Sequence, residues 1–171
     1  VIDFDRAISY KMNLNLGYTL ALLVVLLAAG CGRHAESNDG KAGHRHEHHA
    51  PHGGTAVVLG EEAFHLECVL DAAAGKLSVY VLDGEMENFV RIGAPSFEIV
   101  ARVGEEARTL VFSPVANPAT GETVTDTALY EASAPWLRTT PSFDAVLRSI
   151  VIRGREFRDV PFNFPRGNEP H

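Results

Sequence analysis

From residue 55 to residue 164 the chain is a succession of short runs rich in β-branched and aromatic residues, separated by turn-forming Gly, Pro, Asn and Asp. The runs are TAVVL (55–59), AFHLECVL (63–70), KLSVYVLD (76–83), FVRI (89–92), SFEIVARV (96–103), RTLVFS (108–113), ALYEA (128–132), AVLRSIVIRG (145–154) and FRDVPFNF (157–164). None keeps the apolar stripe of an amphipathic helix over a useful length. This punctuation constrains the fold more than any other feature. Up to nine strands with turns such as DAAAGK and NPATGET between them predict an all-β domain over residues 52–171. The expected arrangement is an antiparallel β-sandwich with Ig-like Greek-key connections; closure into a barrel is the other arrangement such a pattern allows.

Side chains alternate across a strand, so the run FHLECVL sorts itself into two faces. Phe64, Leu66, Cys68 and Leu70 form the apolar row, which puts Cys68 in the core as a small buried residue. His65 and Glu67 fall on the opposite face, two residues apart and pointing the same way. They form a candidate metal-ligand pair. Pairing of TAVVL back onto FHLECVL through the GEEA turn brings His52 near the far end of the hairpin, although alternation alone does not set the register.

The first thirty residues carry a different signal. LNLGYTLALLVVLLAAGCG is an apolar run ending in small residues, as in the hydrophobic region and cleavage site of a secretory signal peptide. It is short for a membrane-spanning helix. Ala28, Ala29 and Gly30 lead into Cys31, a pattern that resembles a bacterial lipobox and predicts acylation of Cys31 (palmitate or a similar chain) after removal of residues 1–30. The same reading makes the product a lipoprotein of the cell envelope, anchored at the outer membrane and facing the periplasm. With Cys31 lipidated, Cys68 has no partner for an internal disulfide.

Residues 31–51 hold no periodic apolar positions and cannot bury enough surface to offset chain entropy, so they are expected to form a flexible tether. Its end is unusual. GHRHEHHAPHGG places five histidines, His44, His46, His48, His49 and His52, within nine residues. Neutral imidazole is the commonest protein ligand for borderline divalent ions, and short His-rich tracts point to Zn, Cu(II), Ni or Co. A flexible segment can wrap several imidazoles around one ion. It lacks the fixed two-half spacing of a structural zinc motif, and the scarcity of Met argues against Cu(I).

HAPHGGTAVVLGEEAFHLECVLD followed by GKLSVYVLDG resembles the heavy-metal-binding domain attached to periplasmic adaptors of cation-exporting resistance-nodulation-division pumps, and small lipoproteins that carry a similar domain. The resemblance spans roughly residues 49 to 92. It implies metal handling in the envelope, with His52 as the turn ligand, His65 and Glu67 as further ligands, and a heavy-metal efflux component as a partner.

A formal charge of −7 leaves no basic footprint for nucleic acid. Nor is there a phosphate-binding Gly-rich loop, a Gly-x-Ser-x-Gly elbow or an HExxH helix, so no enzyme activity is expected. Two functions follow: a lipid-anchored module that buffers, senses or delivers a divalent transition metal, or a non-catalytic interaction module whose His-rich linker is incidental.

Overall fold

The computed structural model describes residues 49–169. The expectations placed on Cys31, His44, His46 and His48 lie outside the described residues. Eight strands form: β1 (Thr55–Leu59), β2 (Phe64–Asp71), β3 (Lys76–Asp83), β4 (Phe97–Val103), β5 (Glu106–Pro114), β6 (Leu129–Ser133), β7 (Phe143–Ile152) and β8 (Arg155–Phe164). All neighbours pair antiparallel, in the order β1-β2-β3-β6-β5-β4-β7-β8. Within it, β7 returns to lie beside β4 after the β4-β5-β6 meander, which is a Greek-key connection.

The all-β, antiparallel expectation holds, but the strands form one continuous sheet that is barrel-like, where a two-sheet sandwich was expected. The physical reason lies in β5, which pairs with β4 as far as Phe112 and then hands over to β6 at Ser113 and Pro114, so the sheet bends without breaking. Its two edges meet through the residues that follow β8. Thr55 Oγ1 donates to Pro165 O (3.1 Å), while the Asn168 amide accepts from Val58 N (2.8 Å) and donates to Val58 O (3.1 Å). One side chain thus supplies the donor and acceptor that a neighbouring strand would have offered to the edge.

Inward rows fill the curl: Val57 and Leu59, Leu66 and Cys68, Leu77, Val79 and Val81, Ile99 and Ala101, Leu110 and Phe112, and Ala145 and Leu147 are all buried. The run FVRI does not become a strand. Phe89 bridges to Leu82 and Ile92 bridges to Thr127, so these four residues cross from one neighbour to another and never build a ladder. Tyr130 fixes the crossing from inside, its hydroxyl donating to Ile92 O (3.2 Å) and Ala94 O (3.0 Å).

Candidate functional site

The β1–β2 register pairs Thr55 with Cys68 and Ala56 with Glu67, which carries the residues just before β1 back over the outward face of β2. Glu67 is fully buried there. Its Oε1 accepts from His52 N (2.7 Å) and from Gly54 N (2.9 Å), and its Oε2 lies 2.8 Å from His52 Nδ1. Each element of His-Gly-Gly has a part in this wrap. Gly53 takes φ +66 to turn the chain, closed by its N–H on Ala50 O (2.9 Å). Gly54 passes so close to β2 that a Cβ would stand 2.6 Å from the Cys68 carbonyl oxygen and 2.8 Å from the Glu67 side chain.

A carboxylate has no proton to give, so His52 Nδ1 carries the hydrogen and donates it to Glu67. The ring lone pair is then on Nε2. The ring lies on Tyr80, centroids 3.9 Å apart and planes 16° apart, with Phe89 at 5.8 Å; Tyr80 is the residue opposite Glu67 in the β2–β3 ladder. Hydrogen bond and stacking together fix the orientation of an imidazole whose side chain is still 37% exposed. This carboxylate–histidine pairing is how metal-ligating imidazoles are commonly oriented and made more basic. Burial pushes the Tyr80 hydroxyl above its ordinary value, helped by the Glu131 and Glu67 carboxylates and opposed by Lys76.

The other expected ligands are placed apart. His49 is exposed at the start of the described chain. His65 does share the outward face of β2, but it is fully buried and has different neighbours, with Nδ1 3.3 Å from Asp83 O and Nε2 4.0 Å from Glu169 Oε1. The structure therefore joins Glu67 to His52 and gives His65 to the residues closing the sheet. Cys68 is buried as expected, its thiol pushed up to about 12 by burial and by the Glu67 carboxylate, which leaves it a core residue with little thiolate character. Among the described residues no group of three or more His, Cys, Asp or Glu side chains stands close enough to hold an ion.

Sequence reasoning missed Tyr80 and Phe89. Alternation along KLSVYVLD already put Tyr80 on the outward row with Ser78, so an aromatic residue on a nominally solvated face was the available signal. Nothing comparable marked Phe89, which reaches His52 only through the crossing at 89–92. These rings line a cleft of about 490 Å³ together with Arg91, Asn117, Thr120 and Glu122. No family model, curated protein or solved structure matches the chain.

Proposed function

We propose that the protein is a lipid-anchored envelope module that binds divalent transition metal ions, with His52 as the oriented ligand and the histidines just upstream as adaptable ones. The observation that carries this reading is the clamp of His52 Nδ1 by the buried Glu67 carboxylate, which dedicates Nε2 to an external electrophile. Glu67 acts as a positioning residue, its fully buried carboxylate turned to His52 and Gly54. His49 lies three residues before His52 in the chain, and His44, His46 and His48 would supply further imidazoles from the tether. The donor set is all imidazole nitrogen, which suits Zn, Ni, Co or Cu(II). Acylation at Cys31 would hold this module at the membrane surface, where it would buffer the ion or hand it to an efflux component.

Calorimetric titration of the soluble chain with Ni and Zn tests the proposal. Replacing His44, His46, His48 and His49 together by Ala should remove most of the bound metal. His52→Ala should weaken the remainder, and Glu67→Gln should weaken it by about 10-fold to 100-fold through loss of orientation. Binding should weaken as pH falls, since protons compete with the metal for imidazole nitrogen. If the parent binds neither ion at micromolar concentration, the metal reading fails and the His52–Glu67 pair is a structural latch in an interaction module.

A further inference from the structure

The cleft beside His52 has a composition that the metal reading does not use. Phe89 is 49% exposed, although its backbone is held firmly by the bridge to Leu82 and by Val90 N donating to Val81 O (2.8 Å). With His52 at 5.8 Å and Tyr80 at 5.9 Å, it forms a fixed aromatic floor open to solvent. Such a floor in a concavity of this size is the usual setting of a small-molecule site.

The wall charges decide which ligand fits. Arg91 is taken up by Thr120 O (2.6 Å), Asp126 (3.5 Å) and Glu122 (3.9 Å). Glu122 also accepts from Thr120 Oγ1 (2.6 Å) and Ala128 N (2.9 Å); burial alone would raise its carboxyl, but these bonds and Arg91 hold it below the ordinary range. His52 faces Glu67. Arg91 and Glu122 thus already offset one another, and the buried Glu67 carboxylate is closed off by its bonds to His52 and Gly54, so neither an anion nor a cation meets an open partner on the wall. What the cleft still offers is aromatic surface and neutral or shared hydrogen-bonding groups: the Tyr80 hydroxyl, the Asn117 Nδ2 amide, whose Oδ1 is engaged by Ala119 N (3.2 Å), and the remaining N–H groups of Arg91.

We propose that this cleft binds a neutral sugar, one ring face against Phe89 and its hydroxyls on Asn117, Tyr80 and Arg91. A ring with one apolar face and a polar rim matches a floor of π-faces rimmed by hydrogen-bond donors. The cleft shares His52 with the metal proposal, but the sugar contacts proposed here use Phe89, Asn117, Tyr80 and Arg91 and not the His52 ring.

Titration of the ¹⁵N-labelled full chain, followed by NMR, tests it with three neutral disaccharides (maltose, cellobiose and N,N′-diacetylchitobiose), adenosine as a flat heterocycle and choline as a cation. At least one disaccharide should bind with Kd of about 1 mM or tighter, shifting the amides of Tyr80, Phe89 and Asn117. Phe89→Ala and Asn117→Ala should each weaken it about tenfold, with spectra otherwise like the parent's. If Phe89→Ala fails to fold, Asn117→Ala carries the test, since its site is on an exposed loop. The proposal is overturned if no disaccharide shifts these amides up to about 20 mM, if the folded variants bind like the parent, or if adenosine or choline binds about tenfold tighter than every disaccharide.

Discussion

Strands β2 and β7 both carry charged residues on an outward row but lead different lives. Along β7 the outward residues Asp144 and Arg148 are exposed, and Arg148 meets Asp159 on β8 (2.6 Å) in an open surface pair. Along β2 the outward residues His65 and Glu67 are as inaccessible as the core behind them. Alternation around Asp144 and around Glu67 does not by itself say which of the two is covered. The difference comes from what is laid over them: residues 50–54 cover Glu67, while the chain beyond β8 brings Glu169 to His65 and Asn168 to Val58. A polar residue on an outward row is therefore a surface residue only if no other segment claims that face. Where one does, the polar group must be matched bond for bond, as Glu67 is.

The sharpest way to break this contrast is to remove the group that the covering turn is built around. Glu67→Ala leaves His52 N and Gly54 N without their acceptor in a closed site, and should cost about 3 kcal/mol in urea unfolding. Next comes the turn itself. Gly54→Ala would drive a Cβ into backbone of β2 and should cost about 2 kcal/mol, whereas at Gly53 a Cβ meets nothing within 4 Å and only the positive φ is penalised, at about 1 kcal/mol. The two alanine variants, compared by the same melts, separate close packing from backbone strain; equal losses would contradict the geometry.

On the inner face of β2, Cys68→Ala should cost about 1 to 2 kcal/mol. Because the thiol is pushed up to about 12, the reactive thiolate is nearly absent at pH 8, and both burial and protonation should keep thiol reagents from labelling the native protein. Labelling should appear on denaturation, where the ordinary value returns and the thiolate fraction rises. Rapid native labelling would place Cys68 at the surface. The smallest effect belongs to β7: Arg148→Ala removes an exposed ion pair and should change stability by less than about 0.5 kcal/mol, with what little it does fading in salt.

Much of the fold could be read along the chain. Eight of the nine expected runs are strands within a residue or two of their expected ends, because period-two burial and turn chemistry are local properties. FVRI is the exception, since a run of four has too few positions to hold a ladder and its residues divide between Leu82 and Thr127. For the candidate site, the His-Gly-Gly turn and Glu67 were legible as residues of interest, but their relation was not. His65 and Glu67 looked equivalent by alternation, and only Glu67 lies where the turn returns.

Sequence by itself determined where eight of the nine expected runs form strands, which row of β2 is apolar, that Cys68 belongs to the core, and that imidazoles gather just ahead of the first strand. Tertiary structure decided the rest: the strand order, the curl that brings the sheet edges together, the burial of the outward row of β2 and the aromatic seat of His52. The physical reason is range. Alternation and turns are set by neighbours a few positions apart, whereas Glu67 meets its turn across fifteen positions and Asn168 meets Val58 across 110. Such contacts depend on how a whole sheet bends, and no window of the sequence contains that information.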